Sequence, residues 1–129
     1  MDTAFTGHRF LYPGEDFSRR LGSSDWYALR AIGTASEAPA STAFSAYELR
    51  LSTSRDRFAT VQTVVRLDFT LDNTPNIIWA GDLDRDGRLD LYLQMPGGGY
   101  SRRYALFLSS PAHSPALVVE AASFHVADC

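Results

Sequence analysis

Hydrophobic and polar residues alternate along most of this chain. The longest such run is TVQTVVRLDFTL (60–71), in which Val61, Thr63, Val65, Leu67, Phe69 and Leu71 fall on one side, while Gln62, Arg66, Asp68 and Thr70 fall on the other. A period of two over this length predicts a half-buried β-strand. AYELRLS (46–52) repeats the pattern, with Tyr47, Leu49 and Leu51 inward and Glu48 and Arg50 outward. NIIWA (76–80), LDLYLQM (89–95), YALFLS (104–109) and LVVEAASFHV (117–126) predict four more strands, and WYALRAI (26–32) and HRFLY (8–12) predict two less regular ones. NIIWA and YALFLS are apolar on both faces, which places them centrally in a sheet.

The punctuation agrees with this reading. Pro13-Gly14, TPN (74–76), PGGG (96–99) and SSPAHSP (109–115) separate the runs at turn-sized intervals. TASEAPAST (34–42) is small and polar and predicts a long surface loop, while EDFSRRLG (15–22) predicts one helical turn at most. No sustained 3.6-residue period is present. The expected fold is therefore all-β, with about seven or eight antiparallel strands in a sandwich or strongly curled sheet. At 129 residues the chain makes one domain, 1–129.

One stretch carries a chemical pattern. Asp82, Asp84, Asp86, Gly87, Arg88 and Asp90 stand as D-x-D-x-D-G-x-x-D. Carboxylates at positions 1, 3 and 5 converge only if the chain curls round a cation, and glycine at position 6 permits the sharp turn. The carbonyl of Arg88 at position 7 and the carboxylate of Asp90 at position 9 would complete the shell. All these donors are hard oxygens, which select Ca²⁺ over zinc or copper. A solvated acidic turn is the alternative reading, and the full set of ligand positions favours the metal. An EF-hand would need a Glu at position 12 and flanking helices. Here position 12 is Leu93 and the flanks are strand-like.

A calcium loop between two strands resembles the loop of FG-GAP or integrin-α-type repeats, matched here over residues 80–93. The second half, WAGDLDRDGRLDLYL followed by a Gly-rich loop, YALFLSSPA and a last strand ending in Cys129, is similar to small exported bacterial proteins with one such loop. Some proteins of this pattern are immunity proteins against peptidoglycan-degrading toxins, compared with periplasmic lysozyme inhibitors that insert a loop into the enzyme's cleft. The resemblance thus implies a non-catalytic inhibitor whose partner is a lysozyme-like cell-wall hydrolase. Beside it stands a reading as a structural or adhesive calcium module that binds glycan or protein.

The Gly-rich loop supplies candidate anchors for a partner. Gly97, Gly98 and Gly99 let the backbone approach another surface, and Tyr100, Arg102 and Arg103 are residue types enriched at interface hot spots. A hairpin loop with solvated arginines is the plain alternative.

Charge and composition narrow the classes further. The net charge is −3, all twelve basic residues are Arg, and four of the fifteen acids sit in the nine-residue loop, so the rest of the chain is near neutral. With no basic stripe, nucleic acid is not an expected partner. No apolar run approaches the ~20 residues of a membrane-spanning helix. The one cysteine, Cys129, cannot form an intrachain disulfide. His8, His113 and His125 lack metal-ligand spacing, and Trp26 and Trp79 read as core. Glu15-Asp16 with Glu48 could be counted as a glycosidase pair, but no second signal supports it, and the chain is not expected to be an enzyme. A weak calcium loop is filled outside the cytosol. A periplasmic or secreted location follows, with the leader that MDTAFTGHRF lacks expected to have been removed.

Overall fold

The computed structural model describes residues 5–21, 25–35, 44–54, 61–70, 74–83, 85, 88–95, 101–112 and 116–127. They form nine strands: β1 (Phe5–Phe10), β2 (Asp16–Leu21), β3 (Asp25–Ala35), β4 (Phe44–Thr53), β5 (Val61–Thr70), β6 (Asn76–Gly81), β7 (Asp90–Met95), β8 (Ser101–Leu108) and β9 (Val119–Ala127). Two antiparallel sheets result. One is β2-β3-β4-β5 and the other β1-β6-β7-β8-β9. As the sequence implies, β6 and β8 are interior strands of the second sheet.

A tight turn carries the chain from β1 in one sheet to β2 in the other. Tyr12, Pro13, Gly14 and Glu15 make a β-turn closed by the Glu15 N–H donating to the Tyr12 carbonyl at 2.9 Å. Proline sets the first central φ and Gly14 takes φ 95°, a conformation that glycine adopts without cost. The Gly14 and Ala31 backbones then tie β3 to this turn. Gly33 gives the turn room: a Cβ there would lie 3.1 Å from Pro13 Cγ, which would have to shift by a few tenths of an ångström.

The core lies between the sheets. Leu29 and Ala31 of β3, Tyr47, Leu49 and Leu51 of β4, Ile77 of β6, Leu91 and Leu93 of β7 and Ala105 of β8 are all buried in one cluster. Removing a large side chain such as Leu49 would cost roughly 2–5 kcal/mol through lost transfer energy and the cavity left behind. Tyr47 is buried as well, and its hydroxyl donates to the Leu11 carbonyl at 2.7 Å, so a polar bond links β4 to the segment that leaves the other sheet.

Three expectations need correction. EDFSRRLG is no helical turn: Asp16–Leu21 is an edge strand paired along its length with β3, and Phe17 packs against the core. The even alternation of β5 also fails at its start. Leu49 pairs with Val65 but Arg50 pairs with Thr63, so one extra residue bulges from β5. A bulge reverses the phase of everything on one side of it. Val61 is therefore 57% exposed, and Gln62 takes the inward place opposite Leu51. Trp26, read as core, is 47% exposed, opposite Arg20, whose guanidinium lies 5.6 Å from the ring centre. The segment 34–42 begins as strand at Thr34 and Ala35, and 36–43 lie outside the described residues.

Candidate metal centre between β6 and β7

The acidic stretch connects two paired strands. Gly81 pairs with Asp90, so 82–89 make the loop of a hairpin and Asp82 follows directly from the last rung. Asp82 and Arg88 are half-buried, Leu83 and Arg85 are exposed, and Leu89 is buried in the core. Arg85 takes φ 62°, a left-handed conformation that turns the backbone sharply midway through the loop. Asp84, Asp86 and Gly87 lie outside the described residues. Among the described residues no three His, Cys, Asp or Glu side chains converge on one point.

Asp90 is the best defined of the set. It is 0% exposed, and a carboxylate so deeply buried needs strong donors to offset its lost hydration. The Leu83 N–H donates to Oδ2 at 2.8 Å. The Ser109 N–H and hydroxyl donate to Oδ1 at 2.8 and 2.9 Å. The carboxylate therefore holds the loop at one oxygen and the end of β8 at the other. Ser109 itself is 0% exposed and accepts the Ala112 N–H at 3.0 Å through its carbonyl, which closes a turn.

The expected ligand set is hard oxygen throughout, the donor chemistry that Ca²⁺ takes. Among the described residues, Gly81 pairs with Asp90, Arg85 takes a left-handed φ and the Asp90 carboxylate is held by three hydrogen bonds. The residues that would hold Ca²⁺ are Asp82, Asp84, Asp86 and Asp90 with the Arg88 carbonyl. The bound ion would supply charge neutralisation among the four carboxylates and rigidity to the hairpin.

Two of the three candidate partner anchors lie in a strand. Tyr100 lies outside the described residues. Arg102 and Arg103 belong to β8, paired with Val126 and His125. The Arg103 guanidinium meets Glu120 at 2.5 Å, with the two side chains 32% and 40% exposed. The acids once counted as a glycosidase pair are engaged separately. Glu15 accepts the Tyr12 N–H at 2.8 Å. Glu48 accepts from Arg50 and from Thr63, each at 3.2 Å, and the Arg50 bond is the main reason its carboxyl is held below the usual range.

Three features escaped the sequence reading. Ser109 is one. Gln62 is another: its Oε1 accepts the Leu117 and Val118 N–H groups at 2.7 and 3.0 Å, and its Nε2 donates to the Val118 carbonyl at 2.8 Å. The third is a row of rings on neighbouring strands, Tyr92, Tyr104 and Phe124. Their centroids are 5.9 and 5.1 Å apart and their planes within 18° of parallel. Burial beside Tyr104 raises the pKa of the Tyr92 hydroxyl. Only the cross-strand pairing of these positions reveals the row, because the three are widely spaced in sequence. No protein-family model, curated protein or solved structure matches the chain.

Proposed function

We propose that this chain is an exported, calcium-stabilised β-domain that acts by binding, as a non-catalytic inhibitor or immunity protein against a peptidoglycan-degrading, lysozyme-like toxin. The observation that carries the calcium part is the 82–90 hairpin loop, whose last acid, Asp90, is locked in place by Leu83 and Ser109. Export follows from the metal, since extracellular calcium fills loops that cytosolic levels leave empty. The toxin as partner rests on the resemblance of the second half of the sequence.

Calorimetric titration of chelator-treated protein tests the metal. Heat of binding and a rise in melting temperature are expected with Ca²⁺, because the ion binds the folded state alone. Asp82→Ala should abolish both, and a wild-type protein with no response would refute the site. Inhibition of a lysozyme by the calcium-loaded protein, followed by clearing of a peptidoglycan suspension, tests the partner class.

The second reading, an adhesive or structural calcium module, is favoured by the row Tyr92, Tyr104 and Phe124, whose last ring is 50% exposed. Sugar-binding platforms turn a ring face outward, whereas here neighbouring faces are turned toward each other. Such a row suits a protein surface better than a glycan.

A further inference from the structure

Two segments far apart in the sequence, the acidic loop and the SSPA stretch that ends β8, meet at one buried carboxylate. The Leu91–Phe107 pairing of β7 with β8 brings Ser109 beside Asp90. There it gives two donors, N–H at 2.8 Å and hydroxyl at 2.9 Å, to the same oxygen. The other oxygen holds the Leu83 N–H inside the loop at 2.8 Å. The Asp90 side chain is thus fixed between two backbone segments, and one of its oxygens is held from outside the acidic motif.

We infer that Ser109 is a positioning residue for the cation loop. It fixes the rotamer of Asp90, and Asp90 in turn fixes the backbone at Leu83, next to the first ligand Asp82. This rests on the calcium reading of 82–90. Groups that orient a metal's own ligands commonly change its affinity 10–100-fold when removed. By linkage the effect is reciprocal: a cation held by the loop tightens the Ser109 turn, whose Ala112 N–H donates to the Ser109 carbonyl. The loop's affinity for Ca²⁺ is therefore governed by a residue in the β8–β9 connection.

The test titrates Ca²⁺ into the chelator-treated full chain as wild type, Ser109→Ala and Ser109→Thr. Alanine keeps the N–H donor and loses the hydroxyl, so its Kd should rise about tenfold. Threonine retains the hydroxyl and should bind within a few-fold of wild type. If wild type binds and alanine binds equally well, or threonine weakens as much as alanine, the role of Ser109 is overturned while the calcium loop stands. If wild type does not bind, the calcium reading itself fails and takes the inference with it. Should either variant fail to fold, amide hydrogen exchange of the wild type decides. Slower exchange at Ser109 and Ala112 on adding Ca²⁺ supports the coupling, and unchanged rates overturn it.

Discussion

Asp90 and Gln62 perform the same operation in two different places. Each side chain accepts hydrogen bonds from backbone N–H groups distant in sequence, Asp90 from Leu83 and Ser109, Gln62 from Leu117 and Val118. Asp90 is charged, fully buried and fastens a loop to a strand end within one sheet. Gln62 is neutral and half-buried, and it ties β5, the edge of one sheet, to the segment leading into β9, the edge of the other. The difference teaches what each link costs to lose. A buried carboxylate organises several donors where water does not reach, whereas water can reach a half-buried amide and replace part of what it gave.

The comparison breaks most visibly at Asp90. In calcium-free buffer, Asp90→Ala should destabilise the fold by about 3 kcal/mol or more, since it removes the acceptor of three hydrogen bonds and opens a cavity. Urea unfolding of both chelated proteins measures this. A loss below about 1 kcal/mol would mean that the carboxylate serves the cation alone. Gln62→Ala comes next, with an expected loss of about 2 kcal/mol from three bonds, each worth roughly 0.5–1.5 kcal/mol. Gln62→Glu should recover part of that loss, because a carboxylate still accepts from Leu117 and Val118 but cannot donate to the Val118 carbonyl.

A second cross-sheet link sharpens the contrast because it titrates. The Tyr47 hydroxyl donates to the Leu11 carbonyl, and Tyr47→Phe should cost about 1 kcal/mol at neutral pH. Burial, with the Glu15 charge adding to it, raises the Tyr47 pKa above the usual tyrosine value of 10.0. The folded protein thus favours the neutral phenol, so its stabilisation is complete below about pH 10 and lost as pH rises beyond that. Stability measured up to pH 11 should fall less steeply in Tyr47→Phe than in wild type. Parallel curves would show that other tyrosines carry the alkaline loss.

These three links also show how far the sequence reaches. The strands around Leu49 and Leu91 are legible because each buries one face, and a period of two is a local signal. β2 hides, since among its described side chains only Phe17 packs against the core and the arginines on an edge strand mask the period. The bulge in β5 hides too: one unpaired residue turns Gln62 inward and Val61 outward, and nothing in the composition of VQTVV marks where it falls. The acidic loop is legible because its candidate ligands lie within nine residues. Ser109 is not, because it reaches Asp90 only through the pairing of β7 with β8. Side chains that meet across strands are outside the reach of spacing rules, and that is where both Asp90 and Gln62 find their donors.

The smallest expected effect on stability tests the partner surface. Arg103 meets Glu120 in an ion pair whose side chains are about one-third and two-fifths exposed. Solvent screens such a pair, and holding two long side chains costs entropy, so it should contribute about 0.5 kcal/mol at low salt and less in 1 M NaCl. Arg103→Ala should therefore melt close to wild type, with the difference shrinking as salt is added. Glu120→Gln isolates the pair, since it keeps the shape of the side chain and removes its charge. If Arg103 anchors a hydrolase's acidic cleft, Arg103→Ala should weaken binding at least tenfold, a cost typical of an interface hot spot. Glu120→Gln should then bind as well as wild type or more tightly, because it releases the guanidinium for the partner. Equal affinities for all three proteins in one titration series would assign Arg103 to the β8–β9 edge alone and leave the partner surface to other residues.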